Sequence, residues 1–398
     1  MSPVPFALDV VVVGGCGHVG LPLALAFAER GLSTRAYDIN QVAVDTVNSG
    51  QLPFDEPGGP AVLVRVLDNR RFNATTDRAV IAEAEHVVVV IGTPVDEHLN
   101  PDARAVPDAV RALKDSLRPG QLLVLRSTVF PGVTTLVERE VAGMGIDVTF
   151  CPERIAEGKA MTELFTLPQI VSGRTDQVLA RAEKLFGALT SQTVRVTPEE
   201  AELAKLFTNT WRYIKFAAAN QLYMMANDAG LDFEKVRQAI TFDYPRASDL
   251  PRAGFAAGPC LCKDTMQLAA FNDNKFVLGH SAMLINEGLP LYVVSKMAER
   301  FDLGDMTVGI LGMAFKGESD DTRSSLSYKL KRILRFRCSE VLCSDPYVTS
   351  DSALTDQAEL LERSDVLVIG TPHDRYRDLG TDKPIVDIWG ITGNGVRV

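Results

Sequence analysis

Cysteine and histidine are scarce in this chain, which has six cysteines and five histidines in 398 residues. That density is too low for a disulfide scaffold, so we expect free thiols in a reducing compartment. The spacing of zinc ligands is also missing, because only Cys260 and Cys262 lie close together, with one residue between them. No metal site is therefore expected.

Long hydrophobic runs and excess positive charge are absent too. No stretch reaches the ~18–20 apolar residues that span a bilayer, and the first residues lack the pattern of a secretory signal. Lys and Arg number 41 against 51 Asp and Glu, a formal net charge of −10. Such a charge repels polyanions, so nucleic acid and anionic membranes are not the expected partners. We expect a cytoplasmic protein, in which a local pocket can still bind an anionic small molecule.

The length predicts two or three domains, at roughly 100–200 residues each. With 46% hydrophobic and 23% charged residues, the composition is that of an ordinary globular protein. Neither wholesale disorder nor a fibrous repeat fits it.

A dinucleotide-binding pattern opens the chain. Residues 7–14 (ALDVVVVG) are typical of a buried strand, and a helical segment with a glycine stop follows. Between them, Gly15, Gly17 and Gly20 occupy the positions of G-x-G-x-x-G, which allow a tight turn, close approach of a pyrophosphate and close helix packing. Asp38 ends the next strand, where a carboxylate binds a ribose hydroxyl and repels a 2′-phosphate. The pattern favours NAD over NADP.

Three further apolar runs predict strands that end in polar residues. Ligands bind beyond the carboxyl ends of parallel strands, so these residues point to one crevice, although each could instead be a helix cap. The runs span residues 86–94, 121–129 and 147–153, and their polar ends are Thr93, Ser127 with Thr128, and Glu153.

A long helix is predicted over residues 198–228. Thr197 as N-cap, Pro198 and Glu200 form a capping-box start, and Gly230 supplies the stop. One face of this helix carries a polar stripe, which is either functional or a solvated lysine with amides bonded at a domain seam. The stripe consists of Lys205, Asn209, Arg212, Phe216 and Asn220.

A cysteine stands in the Gly- and Pro-rich segment that follows Pro245, which predicts a loop. Cys260 is followed closely by Lys263 and Asp264, and nearby cations favour the nucleophilic thiolate. The alternative is a cysteine that serves as a small buried hydrophobe. From about residue 304 the strand pattern returns without a second G-x-G-x-x-G, which predicts another α/β sheet that does not bind the dinucleotide.

Seven motifs, in this order, resemble the UDP-glucose/GDP-mannose dehydrogenase family across nearly the whole chain. They are VVVGGCGHVGLPLA, VIGTPVDE, STVFPGVT, CPERIAEGKA, AELAKLFTNTWR, GPCLCKDT and GMAFKGESDDTR. The resemblance implies oxidation of a nucleotide sugar at carbon 6 to a carboxylate, with two NAD and a covalent thioester. It also implies an α/β fold of two Rossmann-like parallel-sheet domains joined by a long central helix, and a homodimer. The expected domains are 1–197 for NAD, 198–303 for the central helices and the cysteine loop, and 304–398 for the UDP-sugar.

The resemblance implies catalytic roles for five residues. Cys260 is the nucleophile that adds to a carbon 6 aldehyde. Lys205 and Asn209 hold the oxygen at carbon 6 and stabilise its negative charge. Asp264 and Glu153 are carboxylates associated with water activation, and which of them is the base stays open.

Binding roles follow from the same resemblance. Thr93, Thr128 and Glu157 are expected near the nicotinamide, and Arg323 near the cofactor phosphates. Arg212 favours a UDP-N-acetylhexosamine such as UDP-ManNAc or UDP-GlcNAc over UDP-glucose, and Arg246 is expected to reach a neighbouring subunit's site. The substrate-binding residues are Arg212, Arg246, Phe255, Gly258 and Lys316.

The chain departs from the family pattern near the cysteine. Ala256 and Ala257 stand where a Gly-Gly pair is usual, Gln221 stands where the helix commonly has Glu, and Cys262 is an extra thiol. Two other functions stay open at this point: a two-electron NAD-dependent hydroxy-acid dehydrogenase, and a non-catalytic protein that binds NAD and a nucleotide sugar.

Overall fold

The chain folds into two units, one ending at Phe207 and the other beginning at Thr208. This division comes from a computed structural model that describes residues 5–93, 95–96 and 101–393.

A six-stranded parallel sheet forms the centre of the first unit. Its strands are β1 (Leu8–Val13), β2 (Thr34–Tyr37), β3 (Phe72–Thr75), β4 (Ala84–Val89), β5 (Leu122–Leu125) and β6 (Asp147–Phe150). Their spatial order is β3-β2-β1-β4-β5-β6, the order of a dinucleotide-binding sheet. Val12 pairs with Ala36 on one side and Val88 on the other, and all three are fully buried, which explains the unbroken apolar run of β1. The strand predicted over 86–94 ends at Val89, and Pro94 lies outside the described residues.

Within the described residues, eight α-helices and a small second sheet accompany these strands. The helices are α1 (Gly20–Glu29), α2 (Gln41–Asn48), α3 (Gly59–Asp68), α4 (Val80–Glu83), α5 (Ala105–Leu113), α6 (Val133–Glu140), α7 (Ala160–Thr166) and α8 (Asp176–Phe186). β7 (Gln169–Ser172) and β8 (Thr193–Val196) form a separate parallel pair. Two hydrophobic clusters, in which alternate residues of β1 take part, make up the core of the unit.

The long helix α9 (Pro198–Asp228) has the predicted bounds. The side chain of Thr197 accepts a hydrogen bond from the N–H of Glu200 (3.3 Å), and Glu200 Oε2 accepts one from the N–H of Thr197 (2.7 Å). This reciprocal pair confirms the capping box. Gly230 ends the segment with a φ of +71°, which favours glycine.

The second unit contains another parallel sheet. The strands of this sheet are β9 (Thr307–Leu311), β10 (Glu340–Ser344), β11 (Val366–Ile369) and β12 (Ile385–Val386). The helices of the unit that follow α9 are α10 (Phe233–Thr241), α11 (Leu261–Phe271), α12 (Val277–Arg300), α13 (Leu326–Leu334) and α14 (Gln357–Arg363). The strand order is β10-β9-β11-β12. Two parallel-sheet regions and a long helix confirm the predicted fold class. Within the described ranges, no helix has the length and apolar character needed to cross a bilayer.

Candidate active site

The turn after β1 has the geometry that a pyrophosphate needs. A Cβ at Gly15 would lie 2.7 Å from the Cα of Ala36, and one at Gly20 would lie 2.2 Å from the carbonyl oxygen of Gly14. These two glycines are required by close backbone packing. Gly17 differs, because its nearest neighbour would be 3.6 Å away and its outer side is open. Val19, the N-cap residue of α1, makes no side-chain cap there, and the uncapped N–H groups at a helix start favour an anion.

Asp38 lies directly after β2 and braces this turn. Its Oδ2 accepts a hydrogen bond from the N–H of Cys16 (3.0 Å), and its Oδ1 accepts one from the N–H of Asn40 (3.0 Å). Burial, and then the charge of Asp38, raise the pKa of the Cys16 thiol to about 12. The carboxylate therefore stands beside an inert thiol, at the position where a ribose is bound in dinucleotide folds.

The polar ends of β4, β5 and β6 lie along one edge of the sheet, because these three strands are parallel neighbours. Thr93 and Thr128 are both half-buried in the loops after β4 and β5. The two loops are joined by a hydrogen bond from the N–H of Ile91 to Ser127 Oγ (2.8 Å). The predicted crevice-forming residues are thus brought to the same edge.

Glu153, after β6, is buried in an ion pair. Its Oε2 accepts a hydrogen bond from Nε of Arg126 (2.9 Å), a side chain with no exposed surface. Its Oε1 accepts hydrogen bonds from the N–H groups of Arg154 (2.7 Å) and Ile155 (3.0 Å). Both carboxylate oxygens are therefore engaged in holding the loop that carries Glu157.

Three features of this unit were not predicted from the sequence. Gly14 has a φ of +75°, and a Cβ there would lie 2.0 Å from the Val90 carbonyl oxygen. The His18 ring stacks on Phe54 with centroids 4.2 Å apart, and its Nδ1 lies 3.4 Å from Glu157 Oε1. The Gly-Gly pair that precedes the turn could have identified Gly14, whereas no local pattern joins His18 to Phe54.

Glu202 is the third of these features. It lies near the start of α9, is 1% exposed, and accepts hydrogen bonds from the N–H groups of Gly132 (2.6 Å) and Thr134 (2.8 Å). It thereby caps α6 and fixes the loop that follows Thr128.

Asn209 and Asp264 meet in the second unit. Asn209 Nδ2 donates to Asp264 Oδ2 over 2.5 Å, and both side chains are buried. Lys263 Nζ lies 3.5 Å from the other oxygen, Oδ1, which accepts no hydrogen bond from the residues that the structure describes. Lys205, half-buried, precedes Asn209 by four residues in α9. The pair places an amide donor beside a carboxylate whose second oxygen is buried, pairs with Lys263 and accepts no hydrogen bond from the described residues.

Cys260 and Cys262 occupy different environments at the start of α11. Cys260 is exposed and is the N-cap residue, so the positive end of the helix favours its thiolate. Cys262 packs against a hydrophobic cluster that includes Tyr213, and burial raises the pKa of its thiol. Of these two thiols, Cys260 has the exposure expected of a nucleophile.

The loop before Cys260 is clamped by Asn220. Its Oδ1 accepts a hydrogen bond from the N–H of Gly254 (2.8 Å), and its Nδ2 donates to the Gly254 carbonyl (3.0 Å). A Cβ at Gly254 would lie 2.2 Å from the ring of Trp389, which also packs edge-on against buried Phe255. Asn220, part of the predicted stripe, is therefore a loop support.

Gly258 has φ +103° and packs against Phe315, whose ring would lie 2.8 Å from an added Cβ. Lys316 Nζ lies 5.9 Å from the centre of the Phe315 ring. The glycine and the lysine, both predicted to bind substrate, thus share the same aromatic side chain.

The three predicted arginines have different surroundings. Arg212 is exposed on α9. Arg246 donates from Nε to the Tyr244 hydroxyl (2.7 Å). Arg323, predicted near the cofactor phosphates, belongs to the second unit, where its Nε lies 2.9 Å from each carboxylate oxygen of Asp321. No group of three or more His, Cys, Asp or Glu side chains in the described ranges is arranged to hold a metal ion.

Comparison with known proteins identifies relatives along most of the chain. Residues 9–190 match the NAD binding domain of the UDP-glucose/GDP-mannose dehydrogenase family, 199–287 its central domain and 309–394 its UDP binding domain. A UDP-N-acetyl-D-mannosamine dehydrogenase of Pyrococcus horikoshii is 30% identical over 387 residues, which cover 93% of this chain and 90% of that protein.

Two solved structures are similar along nearly the whole chain. A UDP-D-ManNAc dehydrogenase structure from Pyrococcus horikoshii has a TM-score of 0.89 at 26% identity, covering 96% of both chains. A UDP-glucose dehydrogenase from Pyrobaculum islandicum has a TM-score of 0.88 at 28% identity, covering 97% of this chain and 95% of that one.

Proposed function

Because the chain belongs to the UDP-glucose/GDP-mannose dehydrogenase family, we propose that it oxidises the carbon 6 alcohol of a UDP-sugar to a carboxylate in two NAD-dependent steps. The chain is thus an NAD-dependent nucleotide-sugar dehydrogenase. The observation that carries the four-electron reaction is the exposed Cys260 at the start of α11, on the same helix as the Asn209-bonded Asp264.

NAD fits the first unit. Gly17 leaves room for the pyrophosphate, the uncapped start of α1 attracts its charge, and Asp38 can accept a hydrogen bond from a ribose hydroxyl. Thr93, Thr128 and Glu157 are proposed to line the nicotinamide end. When bound, NAD accepts the hydride that carbon 6 releases in each oxidation.

The chain's own residues handle the oxygen, sulfur and protons. Lys205 and Asn209 are proposed to hold the carbon 6 oxygen and stabilise its negative charge as the hydroxyl proton passes to solvent and the first hydride leaves to give an aldehyde. The Cys260 thiolate then bonds to the aldehyde carbon, giving a thiohemiacetal. Loss of the second hydride and of the hydroxyl proton leaves a thioester. Water attacks this thioester, the carbon–sulfur bond breaks, and the carboxylate and the free thiol result.

Asp264 is the carboxylate that we assign to water activation. Its Oδ1 accepts no hydrogen bond from the described residues, whereas both oxygens of Glu153 are engaged by Arg126 and two backbone N–H groups. A base needs a lone pair directed at the proton it accepts. Glu153 is therefore proposed to position the loop after β6.

The sugar that we propose is an N-acetylhexosamine, with UDP-ManNAc first and UDP-GlcNAc and UDP-glucose as alternatives. The Pyrococcus horikoshii relative named for UDP-N-acetyl-D-mannosamine supports this order, as does Arg212 on α9. Phe255, Gly258, Lys316 and Arg246 are the other proposed substrate contacts, and Arg323 a proposed cofactor contact.

The three matched segments support the division into domains 1–197, 198–303 and 304–398. A homodimer is proposed because large apolar side chains stand exposed on two helices of the second unit, and a second copy would cover them. They include Trp211 and Met225 of α9, and Leu284 and Leu291 of α12. Sedimentation equilibrium should give twice the mass of one chain. A cytoplasmic location remains a prediction.

A substrate panel tests the function. UDP-ManNAc, UDP-GlcNAc, UDP-glucose and GDP-mannose are each incubated with enzyme and NAD, and NADH is counted per sugar consumed. We expect two NADH per sugar and a uronic acid product. One NADH with free aldehyde would support the two-electron alternative. Binding of UDP and NAD without NADH formation would support a non-catalytic protein.

A further inference from the structure

The buried carboxylate of Asp345 connects the loops that follow the strands of the β10-β9-β11-β12 sheet. Asp345 directly follows β10, and its Oδ2 accepts hydrogen bonds from the N–H groups of Met313 (2.6 Å) and Ala314 (3.0 Å) in the loop after β9. Burial alone would raise the pKa of Asp345, but hydrogen bonds from His373 and these N–H groups hold it below its usual 3.8. The anion is thus part of the folded loop arrangement.

His373 continues this connection from the far side. It lies after β11 with no exposed side-chain surface, and its Nε2 is 3.0 Å from Asp345 Oδ2. Its Nδ1 is 3.0 Å from the backbone nitrogen of Glu318. Because Nδ1 must accept from that N–H, the hydrogen-bond network assigns the neutral tautomer in which Nε2 donates to Asp345.

His373 therefore holds the segment that contains Lys316 at both ends, at one end directly and at the other through Asp345. Asp345 binds it at Met313 and Ala314, before the lysine, and His373 binds it at Glu318, two residues after. Thr371 adds a hydrogen bond from its hydroxyl to the Ala314 carbonyl (2.6 Å).

Glu318 needs this support because of its own conformation. Its φ is +54°, a left-handed value that is uncommon for a residue with a side chain. Its carboxylate accepts the N–H of Asp374 (2.8 Å) and the hydroxyl of Tyr347, which lies on the histidine ring with centroids 4.8 Å apart. A loop held in a strained conformation by buried partners is a feature of binding sites.

We propose that His373 is a positioning residue for nucleotide-sugar binding, which fixes the Lys316 loop through the Glu318 N–H. This inference rests on the proposed function, in which Lys316 binds the substrate. His373 itself touches neither substrate nor cofactor in this role.

Two variants separate the functions of the two ring nitrogens. His373→Gln keeps a donor at the Nε2 position and removes the acceptor for Glu318. His373→Asn keeps an acceptor at the Nδ1 position and removes the donor to Asp345. His86→Asn, which changes a buried histidine of the first unit, is the matched control.

The full-length variants are compared for UDP binding by calorimetry, for KM of UDP-ManNAc and NAD, for kcat and for Tm. We expect His373→Gln to weaken UDP binding and to raise the sugar KM about tenfold, because loss of the Lys316 contact with the substrate removes about one charge-assisted hydrogen bond. The kcat and the KM of NAD should not change. His373→Asn should have a sugar KM close to that of the unmodified protein but a lower Tm. His86→Asn should leave both KM values unchanged.

Equal sugar KM values in His373→Gln and His373→Asn, or a His373→Gln variant with a lowered Tm and unchanged UDP binding, would overturn the inference. If His373→Gln does not fold, hydrogen exchange on the unmodified protein decides: UDP should further protect the peptide 313–323, and unchanged exchange would contradict the role. Failure of the unmodified protein to oxidise any UDP-sugar would instead remove the proposed function, and UDP calorimetry would still test His373.

Discussion

Asn209 and Asp264 form a buried amide–carboxylate pair in which Nδ2 lies 2.5 Å from Oδ2. The pair leaves Asp264 Oδ1 with Lys263 Nζ at 3.5 Å and with no hydrogen bond from the described residues. The amide fixes the carboxylate through one oxygen and leaves the other paired with Lys263 alone among the described residues. A carboxylate held in this way is suited to activate water.

Asp264→Asn should stop the reaction at the thioester. The amide keeps the shape of the side chain but cannot accept the proton of water, so hydrolysis should slow by about 10²–10⁴-fold. We expect a burst of two NADH per subunit followed by little turnover, and an acylated Cys260 in the intact mass spectrum. A variant with neither burst nor adduct would show that Asp264 acts before the thioester forms.

Glu153→Gln is the companion change. It removes the partner of the fully buried Arg126, and an unpaired buried charge costs about 3–5 kcal/mol. We expect a clear fall in Tm without accumulation of acylated enzyme. Accumulation in Glu153→Gln and not in Asp264→Asn would reverse our assignment of the base.

Sequence predicted the features that local physics determines. The glycine turn, the strand of four consecutive valines and the Thr197–Glu200 capping box depend on residues close together in the chain, so their patterns are readable. The Asn220 clamp on Gly254 joins residues 34 positions apart, and Glu202 binds Gly132 across 70. Nothing in the sequence around either residue indicates its partner, because the fold alone brings them together.

The contacts of single site residues could not be predicted either, because they too depend on the fold. The motif marked Glu153 as a carboxylate near the site, but its ion pair with Arg126 is visible only in the folded protein. The motif marked Cys260 as the nucleophile and Cys262 as an extra thiol, but the exposure of the first and the partial burial of the second are visible only in the folded protein.

Cysteine alkylation should follow the difference in exposure and pKa. Cys260 is exposed at a helix N-terminus, whereas burial raises the pKa of Cys338 and of Cys343 to about 11 and that of Cys16 to about 12, the last also through Asp38. At pH 7.5, iodoacetamide should modify Cys260 first, as measured by peptide mass spectrometry, and activity should fall in parallel.

Cys262→Ala is the control for that experiment and should retain turnover and the same labelling. Cys260→Ala should still bind UDP and NAD but should not complete the oxidation. Full activity of Cys260→Ala would contradict thioester chemistry.

Gly254→Ala should disturb the loop that leads to Cys260. The added Cβ would lie 2.2 Å from the Trp389 ring, and the φ of +152° is one that side chains rarely adopt. We expect a loss of about 2–5 kcal/mol of stability in urea unfolding and a higher sugar KM. At Gly288 of α12 an added Cβ would have no described atom within 4 Å apart from its chain neighbours and the nearby backbone of the helix, so Gly288→Ala should be neutral or stabilising by about 0.5–1 kcal/mol. In a Trp389→Ala background, Gly254→Ala should lower the free energy of unfolding by less than it does in the unmodified protein, because the ring that the Cβ would contact is gone.

His86 should make the protein less stable in mild acid. Burial lowers its pKa from the usual 6.5, and its ring Nδ1 lies 2.8 Å from the Asp9 carbonyl oxygen, so the folded state holds the neutral ring and Nδ1 donates. Below pH 6.5 the unfolded chain takes up a proton that the folded protein does not, so the free energy of unfolding falls by up to about 1.4 kcal/mol per pH unit until the lowered pKa is reached. His86→Asn keeps a donor to Asp9 and removes this titration. Urea unfolding between pH 7.5 and 5 should therefore show a shallower pH dependence in the variant, and equal slopes would mean that the folded state can accommodate the charged ring.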